Sequence, residues 1–221
     1  MQTFQTLAPI AAVVAVPAGR VRFIAADRVD TTVEILPADA SKGRDVKAAE
    51  QAEVGYADGV LRIAVPEPKN RLVGNSGAVE VTVLLPAGSS VEGRAAAAEL
   101  RCVGRLGDVD FDGAYHRIKI DEAASLRLTA LDGDVVIGRL GGPGEITTAR
   151  GDIRVAEAVR GAVSLRTAQG DITVGAAAGV SAALDAGTDH GRVSNALKND
   201  GAAGLELRAT TSYGDITARS L

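Results

Sequence analysis

The sequence predicts an all-β fold, a β-solenoid with glycine at its corners, preceded by a strand-rich N-terminal layer. The main observation is a triplet, Gly-Asp-Ile or Gly-Asp-Val, that recurs at intervals of 18 to 23 residues, with one degenerate copy. A repeat this short cannot bury its own apolar face, so neighbouring copies must stack to form a core. The five copies are Gly133-Asp134-Val135, Gly151-Asp152-Ile153, Gly170-Asp171-Ile172, Gly191-Arg192-Val193 and Gly214-Asp215-Ile216.

The second observation is the alternation that follows each of these glycines. The second residue after the glycine is apolar in every copy, whereas the first is charged and the third is mainly polar. A period of two indicates a strand with one face inward. A second glycine near the middle of the repeat marks another turn, because tight bends favour positive φ. These second glycines are Gly144, Gly161, Gly179 and Gly204.

The third observation is the composition, with 26 glycines, three phenylalanines, three tyrosines and no tryptophan. A narrow solenoid interior holds Val, Ile, Leu and Ala and has little room for rings. Residues 91–221 are therefore predicted to form the repeats, and residues 1–90 a strand-rich layer packed on them, as one continuous unit.

Within the N-terminal layer, period-two runs and proline stops predict five strands and one helix. Residues 45–53 are the predicted helix, with Asp45 as its N-cap. Residues 95–99 are predicted to be extended, and Gly107-Asp108-Val109 is interpreted as an early copy of the triplet. The strands are predicted at residues 11–16, 21–25, 32–36, 59–65 and 79–85.

Charge and cysteine content exclude several classes of function. The net charge is −4 without a basic cluster, which argues against nucleic acid as a partner. Cys102 is the only cysteine, and with two histidines it excludes a zinc site of Cys/His type. The apolar residues 7–19 follow no Lys or Arg and are too short to span a bilayer, so we expect a strand there and a cytoplasmic protein.

The repeated aspartates raise the question of calcium. Asp134, Asp152 and Asp171 are expected to form an outward column on successive coils, and carboxylate oxygens are ligands that Ca²⁺ accepts. We favour another interpretation, in which each aspartate accepts hydrogen bonds from its own turn. Arg192 is expected to interrupt the column. No metal or cofactor is predicted.

The densest polar group is Asp108, Asp110, Asp112 and His116. Alternation places the three carboxylates on one strand face, where they could bind a glycan, with or without calcium, or act on one. A solvated face is the favoured interpretation. We find no serine nucleophile motif and no histidine partner for Cys102, so the chain is not expected to be an enzyme.

Several segments together resemble a known bacterial family. They are the opening Phe4 segment, the Leu-Pro-Ala-Gly-Ser stretch at residues 85–89, the serial Gly-Asp-Ile turns, and the closing Thr211-Ser212-Tyr213-Gly214-Asp215-Ile216. The chain resembles the β-strand-repeat family labelled "putative adhesins" (domain of unknown function 4097). This resemblance implies a right-handed parallel β-helix and supplies no catalytic residues.

These observations predict a non-catalytic β-solenoid that acts as a scaffold or interaction module. Because the chain stops five residues after Ile216, its last coil is expected to present an uncovered edge, through which copies of the chain associate. The alternative is a carbohydrate-binding or carbohydrate-active protein that uses the face from Asp108 to His116. A third alternative is an exported surface adhesin.

Overall fold

A computed structural model describes residues 1–66 and 77–221 and shows an all-β chain with one short helix. The strands of these described residues belong to a single 15-stranded sheet. The elements are β1 (Gln2–Gln5), β2 (Ala11–Ala26), β3 (Asp30–Pro37), α1 (Gly43–Glu50), β4 (Glu53–Ala57), β5 (Val60–Ala64), β6 (Val79–Pro86), β7 (Ser90–Leu140), β8 (Gly144–Arg150), β9 (Ile153–Ala158), β10 (Gly161–Gln169), β11 (Ile172–Ala176), β12 (Ala182–His190), β13 (Val193–Ala196), β14 (Leu205–Tyr213) and β15 (Ile216–Ser220).

The N-terminal strands continue the sheet of the repeats. β2 pairs in parallel with β7, from Ala11 opposite Ser90 to Ile24 opposite Val103. β2 also pairs in parallel with β5 and β6. The strands furthest from the repeats are antiparallel, with β1 on β3, β3 on β6, and β4 on β5. Each predicted N-terminal strand lies within β2, β3, β5 or β6, apart from single residues at the ends of 59–65.

From β7 onward the chain runs in stacked coils. β7 is 51 residues long and contains corners, because Gly113 packs against the backbone of Ala95, and Gly133 against that of His116. β8 and β10 pair in parallel along one side of the stack. β9 and β11 pair in parallel along another side. The predicted extended state of residues 95–99 is confirmed.

The last two coils are stacked in the reverse of their sequence order. β14 lies between β10 and β12 and is parallel to both. Likewise β15 lies between β11 and β13. The coil of β14 and β15 (the C-terminal coil) is therefore internal, and the coil of β12 and β13 (the terminal coil) ends the stack. The prediction that the last coil in sequence carries the uncovered edge is wrong.

The core is an aliphatic spine contributed by the inward positions of the coils. Ile153, Ile172 and Ile216 are fully buried at matching positions of successive coils, as the alternation predicts. The equivalent residue of the terminal coil, Val193, is 45% exposed because no further coil covers it. Each fully buried aliphatic side chain contributes about 1.5–3 kcal/mol, so the rows of the spine are the main source of stability.

The helix differs from its prediction. α1 spans Gly43–Glu50, and its N-cap is Lys42, which makes no side-chain capping bond. Asp45 lies in the first turn and is buried, where its Oδ1 accepts a hydrogen bond from the backbone N–H of Ala78 at 3.0 Å. This carboxylate therefore ties the helix to the start of β6 instead of capping it. In the described part of the chain, no helix is long and apolar enough to cross a membrane.

Candidate functional site

The glycines of the five triplets form one column along the stack. A Cβ on any of them would overlap the carbonyl oxygen of the residue stacked beside it, so the coils approach each other more closely than a side chain permits. The backbone conformation is a second reason for glycine in this column. The φ of Gly151 is +120°, which lies in a region that L-residues rarely adopt. In spatial order the column is His116, Gly133, Gly151, Gly170, Gly214 and Gly191.

His116 occupies a corner of this column that a glycine takes in the later coils. Its φ is +67°, and the missing Cβ of Gly133 would lie against its backbone. Tyr115-His116-Arg117-Ile118 is thus a hidden copy of the repeat, with Ile118 fully buried at the inward position. The shared Tyr and Ile of Tyr213-Gly214-Asp215-Ile216 could have revealed it.

Gly107-Asp108-Val109 is not an early copy of the triplet in this column. The backbone N–H of Gly107 donates to the carbonyl oxygen of Ser89, and the missing Cβ of Gly107 faces Gly88. The triplet therefore lies outside the column, nine residues before His116. Gly107 is not among the glycines of positive φ, so three matching residues were insufficient to identify a copy of the repeat.

The repeated aspartates join neighbouring coils. The Oδ1 of Asp134 accepts from the backbone N–H of Asp152 at 2.9 Å, and that of Asp152 accepts from Asp171 at 2.8 Å. Asp171 accepts in turn from Asp215 at 2.7 Å. The prediction that each carboxylate serves its own turn is therefore wrong, because every acceptor lies on one coil and its donor on the next.

Arg192 ends this aspartate ladder and does not interrupt it. Its backbone N–H donates to Asp215 Oδ1 at 2.9 Å, and its Nη2 lies 3.2 Å from Asp215 Oδ2. The coil order places Arg192 after Asp215, at the end of the stack. A guanidinium has no lone pair to accept another N–H, so this form of coil-to-coil bond stops at Arg192.

Asp215, at the end of the ladder, makes the free energy of unfolding depend on pH. The backbone N–H of Arg192, and then its side chain, hold the pKa of Asp215 below the ordinary value of 3.8. Because the folded state binds a proton on Asp215 less readily than the unfolded state does, this stabilisation is complete above pH 3.8 and is lost as the pH falls through the folded pKa. We expect the difference in unfolding free energy between the parent chain and Asp215→Asn to shrink over that window. Urea unfolding at several pH values measures it, and a pH-independent difference would contradict the expectation.

A threonine ladder, which sequence reasoning missed, runs beside the aspartates. The Oγ1 of Thr167, Thr211 and Thr188 each donates at 3.0 Å to the carbonyl oxygen of the corner glycine in the adjacent coil. The acceptors are Gly151, Gly170 and Gly214. The signal was a threonine three residues before each corner glycine from Gly151 onward.

The acidic face is present but is divided between separate hollows. Asp108, Asp110 and Asp112 are exposed and alternate with buried Val109 and Phe111, as predicted. Asp108 and Asp110 line a groove of about 730 Å³ that crosses several coils, together with Glu92, Ser125, Arg127 and Glu145. His116 lines two other hollows, each with Glu99. The structure therefore does not bring His116 to the carboxylates.

The groups that could carry chemistry have structural surroundings. Asp108 Oδ1 accepts from Ser125 Oγ at 2.5 Å, and Arg127 Nε lies 3.6 Å from Glu145 Oε2. Residues 1–66 and 77–221 contain no group of three or more His, Cys, Asp or Glu side chains arranged to hold a metal ion. Cys102 is fully buried, and burial raises the pKa of its thiol to about 12, which leaves it protonated and unreactive at neutral pH.

The family model described as Toastrack DUF4097 matches residues 14–220. No curated protein matches the chain.

Three solved structures are similar over nearly all of both chains, at low identity. A "putative cell adhesion protein" from Clostridium sporogenes is 12% identical, with coverage of 100% of this chain and 99% of that one and a TM-score of 0.40. A "putative adhesin" from Parabacteroides distasonis is 15% identical, with coverage of 98% and 95% and a TM-score of 0.43. Another from Bacteroides fragilis is 12% identical, with the same coverage and a TM-score of 0.32.

Proposed function

The chain belongs to the Toastrack DUF4097 family, and we propose that it is a non-catalytic scaffold that binds other macromolecules, copies of itself included, through the free edge of its terminal coil. In this proposal the coils form a right-handed parallel β-helix with glycine corners. The right hand is the usual sense of connection between parallel strands of one sheet.

The observation that carries the proposal is the one-sided pairing of the terminal coil. In the described parts of the chain, β12 pairs with β14 and β13 with β15, and neither strand has a second partner. All four residues of β13 are exposed, whereas β15 buries Ile216 and Ala218. An edge strand presents unpaired N–H and C=O groups that another strand can satisfy.

A non-catalytic role is supported by what the conspicuous polar groups do. The repeated aspartates and threonines are engaged in bonds between coils, and the thiol of Cys102 is shielded. These groups stabilise the stack, which suits a scaffold whose surface and ends provide its contacts.

Sedimentation equilibrium tests the proposal directly. We expect the weight-average mass of the purified chain to rise with concentration from the micromolar to the high micromolar range, because two exposed edges can pair. A mass that stays at 22.5 kDa throughout that range would refute self-association.

A second candidate function, glycan binding, is favoured by the groove. Carboxylates and hydroxyls such as those of Asp110 and Ser125 can hydrogen-bond the hydroxyls of a sugar. Under this alternative, the triple change of Asp108, Asp110 and Asp112 to Asn abolishes glycan binding, with or without calcium, and leaves the melting temperature nearly unchanged. If the parent chain and the triple variant bind the glycan equally well, glycan binding by this acidic face is rejected.

The cellular location belongs to the same proposal. We propose a cytoplasmic scaffold, and fractionation of the native cells tests this. Recovery of the chain on the cell surface would favour an adhesin instead.

A further inference from the structure

We infer that β12 pairs antiparallel with β12 of a second copy, about a two-fold axis that passes through Ala186. The inference rests on the proposed self-association and names the strand, the partner and the register. A two-fold contact of this kind is closed, because the free edge of β12 in each copy pairs with the free edge of β12 in the other.

Only part of β12 is open to a second strand. β14 pairs with one edge of β12 from Ala182 to His190. The backbone N–H of Ala182 donates to the carbonyl oxygen of Lys198 at 2.9 Å, so the loop after β13 reaches the start of the strand. Residues 183–189 are thus the segment left for a second strand, and Ala186 is its centre.

The two faces of this segment differ in polarity. Leu184, Ala186 and Thr188 point inward and are half-buried, and Leu184 and Ala186 pack against the apolar core. Asp185, Gly187 and Asp189 are on the exposed face. A partner strand must match this alternation, since a slip of one residue would place aspartate on the apolar side. A two-fold pair therefore has its axis at a residue and not between residues.

The charges of β12 favour one of the remaining registers. With the axis at residue 185, Asp185 faces its own copy, and with the axis at residue 187, Asp185 faces Asp189 of the other chain. Like charges directly opposite each other destabilise a strand pair. With the axis at Ala186, Asp185 faces Gly187 and Asp189 faces Ala183, and all seven residues are paired. Arg208 also lies 3.1 Å from Asp185 and neutralises it.

The two ends of the stack limit the contact to two copies. Inside the stack, each coil from Asp134 onward accepts the next coil's N–H on an aspartate. Arg192 offers no such acceptor, so a parallel coil added at this end would lack the bond. The start of the stack ends in short antiparallel strands, β1 and β4, which do not match nine-residue β12. A symmetric pair avoids both mismatches.

Cross-linking tests the register. Ala183→Cys and Asp189→Cys are prepared as separate full-length variants and mixed, and a short thiol cross-linker is added. We expect covalent dimers in the mixture, because residue 183 lies opposite residue 189, and background levels with either variant alone, because like positions are about 20 Å apart. The parent chain is the control for Cys102, which is buried.

A charge substitution at Gly187 tests the same pairing of β12 with β12 without a cross-linker. Gly187 has an ordinary φ, and a Cβ there meets open space, so the single chain tolerates a side chain. Gly187→Asp should weaken dimerisation about tenfold relative to Gly187→Asn, because two Asp–Asp oppositions form in each dimer. Sedimentation equilibrium measures both variants.

The outcomes separate the inference from the proposed function. Dimers that cross-link between like positions, or that are equally stable with Asp and Asn at residue 187, overturn the register while self-association stands. A monomer at all concentrations overturns both.

Discussion

Removal of residues 205–221 is expected to destroy more of the fold than the coil it deletes. In a stack that followed the sequence, loss of the last coil would leave the others paired. Here β14 and β15 lie between two other coils, so their removal strips β10, β11, β12 and β13 of a neighbour. The terminal coil then has no strand to pair with, and β10 and β11 acquire an open edge.

The size of the effect follows from the apolar surface that is lost. Leu205, Leu207 and Ile216 are buried and together contribute roughly 5–9 kcal/mol, which is comparable to the stability of a whole domain. We expect the melting temperature to fall by roughly 10–30 °C. Amide exchange of β12 should become as fast as in an unfolded peptide, while β2 and β6, far from the deletion, serve as the internal reference. Native-like protection of β12 in the truncated chain would contradict the observed coil order.

Gly151→Ala is expected to destabilise the chain by about 3 kcal/mol or more. The φ of +120° costs an alanine about 1–3 kcal/mol, and its Cβ would also overlap the carbonyl oxygen of Gly133, which belongs to the neighbouring coil. Because the corner glycines are stacked, the overlap can be relieved only by moving a coil. The midpoint of urea unfolding reports the loss.

Gly187→Ala is the matched control for Gly151→Ala, since it makes the same chemical change within a strand. Its φ is ordinary and its surroundings are open, so it should be neutral or stabilising by up to about 1 kcal/mol, through reduced entropy of the unfolded chain. Equal effects of the two substitutions would show that the corner column does not constrain the stack.

Much of the candidate site could be predicted because it depends on local rules. Alternation placed Ile153, Ile172 and Ile216 inward, and the structure buries all three. The triplet identifies glycines of positive φ, and alternation places Asp108, Asp110 and Asp112 on one exposed face, as the structure shows. These features follow from the period of a strand and from the φ that a tight corner needs.

Other features were missed because local chemistry did not single them out. His116 adopts a left-handed φ at a position where the other copies carry glycine, so the sequence of this copy lacks the glycine signal. The carboxylate of Asp45 has the pattern of an N-cap but is bonded to Ala78, 33 residues away. The aspartates beside the glycines suit a turn, and only the stacking shows that their partners lie on the next coil.

The sequence by itself determined that the chain is all-β and solenoid-like, because a short repeat with period-two alternation must share its apolar face with its neighbours. The tertiary structure alone decided which coil ends the stack. β14 pairs in parallel with both β10 and β12, although β12 comes first in the sequence, and no local pattern in the chain specifies that order. Because of that order, Arg192 lies at the end of the aspartate ladder and does not interrupt it. For the same reason the free edge lies on β12 and β13 and not on the last residues of the chain.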